Sequence, residues 1–316
     1  VIPMIRVLHF ADLVNRYDFI DTIIRNANPS KFKMMVCTLS DTSNIIFPDY
    51  KEAGISHWVL HGDRRSDYPV IGLKLAQLLE REKIDLIHTH HYDQGLIGWL
   101  ATRLYPKTRL ILGRHYSDSI YRLRNGWKQK SLIALEQMMN GGATRIIVPS
   151  SYIGEILIKW QGVNHDKVDV IPYGFESAKY ADPSPENIQR LRKDLGLNGH
   201  FVIGTFGRLH EEKGHRFLLP AIQQLKSRFP HLLLLVVGEG PERNAIAEQI
   251  QAAGLEDMVQ LLGWRQDAMQ LMAAADIVVQ PTLQEAFSQV MIEALWMKKP
   301  LIITEVSGST DIIKNE

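Results

Sequence analysis

A single cysteine, Cys37, stands among the 316 residues, so no disulfide can close within the chain and a reducing compartment is expected. Long apolar runs are missing as well. Stretches such as LLLLVVG at 232–238 stop far short of the roughly 18 residues that a membrane-crossing helix needs. The opening VIPMIRVLHF lacks the basic start, apolar middle and small-residue cleavage site of a signal peptide, and it reads as a first buried strand. A cytoplasmic location follows as the expectation. Net charge is only +1, which argues against nucleic acid as a bulk electrostatic partner. No G-x-G-x-x-G opens an α/β segment, which counts against a nicotinamide oxidoreductase.

What is present is ordinary globular material, 45% apolar and 22% charged, at a length that favours two domains. Charge is divided unevenly: residues 1–175 carry 22 Lys and Arg against 17 Asp and Glu, and the remainder carries 14 against 18. Short apolar runs alternate with helical patterns. In the first half they are IRVLHF (5–10), KMMVCTL (33–39), HWVLH (57–61), DLIHTH (85–90), RLILGRH (109–115), RIIVPS (145–150) and VDVIPY (168–173). After VIPYGF the chain turns polar and proline-bearing, as a linker does. Runs resume at FVIGTFG (201–207), HLLLLVVG (231–238), MVQLLG (258–263), DIVVQP (276–281) and PLIIT (300–304). Strands separated by helices predict two parallel, Rossmann-like α/β domains, 1–174 and 175–316, facing across a ligand-binding cleft.

Three stretches carry chemistry. GRLHEEKG (207–214) puts Arg208 and Lys213 between a strand end and a helix start, a placement that suits a diphosphate. PTLQEAFSQVMIEAL (281–295) holds Glu285 and Glu293 eight residues apart in apolar surroundings. With a helix beginning near Ala286, both carboxylates would lie on one side of it, and the amides of Ala286, Phe287 and Ser288 would meet phosphates. His88 and His90 share a strand face, with His91 beyond. A packed or cleft-lining role is expected for them, since no Cys or carboxylate nearby completes a metal spacing. IYRLRNGWKQKSLIALEQMM (120–139) surrounds Trp127 with Arg122, Arg124, Lys128 and Lys130. It suits an anionic membrane surface or an ordinary solvated helix face.

GTFGRLHEEKG, VVGEGPER, VQLLGW, AAADIVVQPTLQEAFSQVMIEAL and KKPLIITEVSG, joined by DLIHTHHYDQGLIGWLATRL, ILGRHYSDS, IIVPSSYI and VDVIPYGFE, resemble retaining glycosyltransferases of family 4, which have the GT-B fold. The resemblance implies Arg208 and Lys213 on the donor diphosphate together with Phe287 and Ser288, and Glu293 on the nucleotide ribose. It places Glu285 and Ala286 at the donor sugar, and His115 near that sugar's C6. His115, Glu285, Arg208 and Lys213 are the implied catalytic set. A UDP-sugar is the favoured donor and a glycan or lipid-linked glycan the acceptor, with no cofactor. No D-x-D occurs, so the two cations take the place of a metal ion at the diphosphate. Three departures stand out. FADLVNRYDF lacks the family's glycine-rich loop; Ala286 and Ser288 replace glycines; and further strand and helix are expected after DIIKNE. A sugar-nucleotide epimerase and a non-catalytic binding subunit are the alternatives.

Overall fold

The computed structural model describes residues 3–11, 18–40, 50–62, 64–116, 126–175, 183–306 and 308–313. Two compact units, Val1–Phe175 and Glu176–Glu316, divide the chain.

In the first unit the strands are β1 Ile5–Phe10, β2 Phe32–Thr38, β3 Ser56–Val59, β4 Leu86–His90, β5 Arg109–Gly113, β6 Arg145–Val148 and β7 Val168–Val170. Between them run α1 Asp18–Asn26, α2 Tyr68–Arg81, α3 Tyr92–Leu104, α4 Gly126–Gly142 and α5 Ser151–Glu155. The sheet order is β3-β2-β1-β4-β5-β6-β7, and the pairings are parallel. Parallel strands need crossovers that cover both faces of a sheet, so their sequences are continuous apolar runs rather than alternating ones. Leu8, Phe10, Val36, Ile87, Leu110 and Ile146 are accordingly buried.

The second unit repeats the plan with β8 Phe201–Phe206, β9 Leu232–Val237, β10 Val259–Gly263, β11 Ile277–Gln280 and β12 Leu301–Ile303. Its helices are α6 Pro185–Asp194, α7 His215–Leu225, α8 Arg243–Ala252, α9 Ala268–Ala274, α10 Gln289–Trp296 and the short α11 Ser309–Ile312. The order β10-β9-β8-β11-β12 is again parallel throughout. One apolar cluster, with Leu219, Leu234 and Ile246, and another, with Val202, Leu235, Leu271 and Ala294, fill this unit. Part of the segment read as a linker is helical. Ser184 caps α6 by accepting from the Asn187 amide at 3.2 Å, and Pro185 takes the first turn, where a missing N–H costs nothing.

Each predicted strand run contains a strand, several shorter than the run. VDVIPY yields only Val168–Val170, since Pro172 has no N–H to continue a ladder and restrains the residue before it.

Candidate functional site

In an open parallel sheet the strand order reverses at one point, where the loops leaving the carboxyl ends diverge and open a crevice. The second unit reverses between β8 and β11. Residues 207–214 follow β8 and residues 281–288 follow β11, so both singled-out motifs flank this point.

The two loops are stitched together. The Leu283 amide donates to the Glu212 carbonyl at 2.7 Å, and the Lys213 Nζ donates to Glu285 Oε2. Glu211–Lys213 form a single 3-10 turn that ends at Gly214, with φ +71°. A Cβ at Gly214 would overlap the Pro281 carbonyl. Gly214→Ala is therefore expected to separate the loops and destabilise the second unit by about 3 kcal/mol, from the left-handed backbone and the clash together. Urea unfolding of the variant measures this, and an unchanged midpoint would show that the loops do not pack this way.

Arg208 is exposed and pairs with Glu212 at 3.1 Å, whereas the Lys213 and Glu285 side chains retain only 15% and 22% of their accessible surface. The structure thus brings two of the expected catalytic residues, Lys213 and Glu285, into direct contact.

The helix expected from Ala286 begins later, at Gln289. Ser288 is its cap, its hydroxyl accepting from the Met291 amide at 3.2 Å, and serine caps far better than alanine or phenylalanine. Glu285 consequently sits in the loop and not on the helix, so the helical relation expected between it and Glu293 does not hold. Ala286, Phe287 and Ser288 are buried within the loop. The amides of the first turn are therefore those of Gln289, Val290 and Met291, the last bonded to the Ser288 hydroxyl. Glu293 is half-buried in α10.

Beside Lys213, at the first position of α7, His215 is buried, its Nδ1 without a hydrogen-bond partner among the described residues. Burial, then the nearby ammonium of Lys213, lowers its pKa to about 4. The folded state therefore resists a proton that the unfolded chain accepts near pH 6.5. This stability is complete above that pH and is lost as pH falls toward 4, by up to about 1.4 kcal/mol per unit. His215→Gln is expected to flatten the acid limb of a Tm-against-pH curve; a limb of unchanged slope would contradict it.

In the first unit the order reverses between β1 and β4. His9 on β1 is the register partner of His88 on β4, and His90 lies on the same face as His88, their ring centroids 4.2 Å apart. His9 Nδ1 is 3.1 Å from His90 Nε2, His90 Nδ1 is 2.9 Å from His115 Nε2, and His115 Nδ1 is 2.9 Å from the Tyr173 hydroxyl. His115 thus has both ring nitrogens engaged within its own unit. A hydrogen bond from it to a sugar requires one of these partners to yield. Burial holds His9, His88, His90 and His115 well below the ordinary imidazole range, so all four are neutral at pH 7. Sequence reading missed His9 and Tyr173, because only the pairing of β1 with β4 and the end of β7 bring them here.

Of the basic stretch, Arg122 and Arg124 lie outside the described residues. Trp127, Lys128 and Lys130 stand exposed at the start of α4, while Glu136 on the same helix is buried. An apolar groove of about 270 Å³ between α2, α3 and α4, lined by Tyr68, Tyr92, Leu96, Trp99 and Leu132, holds none of the expected site residues.

Two parallel Rossmann-like units, with charged loops at the switch point of the second, define a GT-B protein. Residues 20–179 match the model described as Glycosyltransferase Family 4 and residues 200–316 match Glycosyl transferases group 1. The chain belongs to glycosyltransferase family 4.

It is 29% identical over 252 residues to the Escherichia coli UDP-Gal:alpha-D-GlcNAc-diphosphoundecaprenol alpha-1,3-galactosyltransferase, the match covering 77% of this chain and 64% of the relative. It is 25% identical over 247 residues to the D-inositol 3-phosphate glycosyltransferase of Corynebacterium kroppenstedtii, covering 72% of this chain and 54% of the relative. The chain thus spans less than two-thirds of the length of these curated relatives. In fold it is similar to Anabaena Alr3699/HepE, solved with UDP-glucose, at a TM-score of 0.82 and 24% identity, over 98% of this chain and 83% of that one.

Proposed function

We propose that this protein transfers a sugar from a nucleoside-diphosphate sugar, UDP-linked by preference, to a hydroxyl of a glycan or lipid-linked glycan, with retention and without a metal ion at the diphosphate. The observation that carries this reading is the stitched pair of loops at the β8–β11 switch point, which places Lys213 beside Glu285.

An ammonium has three donors. Lys213 can keep Glu285 and still offer two N–H groups to phosphate oxygens, while Arg208, one residue past the glycine that follows β8, offers its planar fork. As the sugar–phosphate bond loosens, charge gathers on the leaving diphosphate, and these fixed cations favour that state over the ground state. Glu285 orients sugar hydroxyls at the same place, and Glu293 holds the ribose. The role proposed for His115 is a hydrogen bond to the donor sugar, made by releasing Tyr173 or His90. The acceptor oxygen enters on the face the diphosphate leaves, which gives retention. A covalent glycosyl-enzyme is disfavoured, since that route needs a second carboxyl about 5 Å from the first and Glu285 faces a lysine.

The donor preference draws on the E. coli relative, whose name states UDP-galactose and a diphosphoundecaprenol acceptor, and on HepE, solved with UDP-glucose. Trp127, Lys128 and Lys130 suit contact with an anionic bilayer carrying such an acceptor.

Calorimetry with UDP, GDP and ADP, followed by product analysis with UDP-sugars, tests the reading, with anionic vesicles bearing a lipid-linked glycan as one arm. UDP is expected to bind most tightly and the sugar to appear on the acceptor as the retained anomer. Donor turnover without acceptor would point to an epimerase. Binding without turnover would point to a non-catalytic subunit.

A further inference from the structure

We propose that His9, His88 and His90 form a binding site for a divalent late first-row transition-metal ion, with Zn²⁺ the ion to test. The three rings converge at the switch point of the first unit, where β1 and β4 run side by side and their register sets His9 against His88. Each offers one nitrogen, and those nitrogens lie within 4.8 Å of one another.

A tetrahedral ion with bonds of about 2.0–2.1 Å holds its ligand atoms about 3.3 Å apart. His9 Nδ1 and His90 Nε2, at 3.1 Å, already stand at nearly that separation. The third ring needs an inward shift of at most about 1.5 Å to complete the face, within reach of small rotations of an imidazole. A ring flip exchanges its nitrogens without moving the cluster.

The cluster also contains unmet bonding capacity. Among the described residues His88 Nε2 is buried without a hydrogen-bond partner, and His9, His88 and His90 expose only 1%, 7% and 0% of their surface. Buried polar groups without partners are rare in folded proteins and call for an explanation. The rings are neutral, the form that ligates. An all-imidazole set suits zinc, copper, iron or nickel and not the oxygen-seeking magnesium, calcium or manganese.

The site would reach His115. A ligating histidine donates its other ring N–H outward. With His90 Nε2 on the ion, His90 Nδ1–H donates to His115 Nε2, and the proton of His115 is fixed on Nδ1, facing the Tyr173 oxygen. Occupancy would therefore select one tautomer of His115. The readout of this site is metal binding, so it holds or fails independently of sugar transfer.

The untagged full chain, stripped with EDTA, would be titrated with Co²⁺ and then Zn²⁺. One equivalent of Co²⁺ with tetrahedral visible absorption is expected, displaced by one equivalent of Zn²⁺. His9→Gln and His88→Gln should each weaken Zn²⁺ binding at least 100-fold, and His200→Gln, half-buried in the second unit, should not. Imidazole ¹⁵N spectra of the wild type need no variant: Zn²⁺ should shift nitrogens of three rings and leave His115 protonated at Nδ1. No stoichiometric ion, or binding that persists in both buried variants, would overturn the proposal.

Discussion

Lys213→Ala is expected to lower kcat/KM for transfer from a UDP-sugar by about 10²–10³-fold, the scale reached when one preorganised charge-stabilising donor is removed. Arg208→Ala should cost less, about tenfold. The difference follows from how each cation is held. Lys213 ends a 3-10 turn, its loop bonded to the β11 loop through Leu283 and Glu212, and its side chain is mostly shielded from water. The Arg208 side chain keeps 70% of its surface and pairs with a glutamate four residues on, so solvent screens its charge and ordering it on a ligand costs entropy. A second sign check is available through Glu285. On the proposed reading, that carboxylate without Lys213 would face the diphosphate alone and repel it. Lys213→Ala/Glu285→Ala should therefore bind UDP more tightly than Lys213→Ala, while turnover stays low because the sugar has lost its own contact. Calorimetry with UDP and initial rates on the same preparations separate the two effects. If Lys213→Ala binds UDP within twofold of the wild type, Lys213 does not hold the diphosphate.

The strands were legible because buried parallel strands are written as unbroken apolar runs, and five to seven such residues between polar turns leave little choice of structure. Arg208 and Lys213 were legible for a related reason: a strand end, a glycine and a helix start lie within a few residues, so local sequence alone places them. The helix after β11 was misjudged by three residues. Ser288 was there to be weighed as a cap, but the apolar run on both sides of it hides the boundary. Contacts set by register were out of reach. His9 meets His88 because β1 lies beside β4, and no local pattern states that adjacency. Lys213 and Glu285 meet for the same reason, through β8 and β11. Glu136 shows the limit from another side. It is the first acid in a basic stretch and carries no local sign of burial, yet the fold turns it inward to a partner 22 residues away.

That partner underlies the largest expected change in stability. Arg114 and Glu136 are 3% and 1% exposed and meet at 2.7 Å. Tyr116 also donates to Glu136 Oε1, at 2.6 Å, and Gln161 donates to Oε2. The buried carboxylate thus receives three donors, and the charges neutralise each other. Glu136→Ala takes away the carboxylate 2.7 Å from a buried guanidinium and removes the acceptor of two further donors, a loss of about 3–5 kcal/mol, a large share of the stability of an ordinary domain. Urea unfolding followed unit by unit should show the first unit's transition moving to lower denaturant while the second stays in place. Replacing both charges is a different experiment. Arg114→Met/Glu136→Leu removes the buried ions together and should recover most of the loss, because desolvating a buried pair cancels much of its mutual attraction. Arg114 directly precedes His115, so the two variants separate stability from position. If the double variant folds as the wild type does yet transfers sugar slowly, the ion pair aims His115; if it transfers at the wild-type rate, the pair only holds the fold.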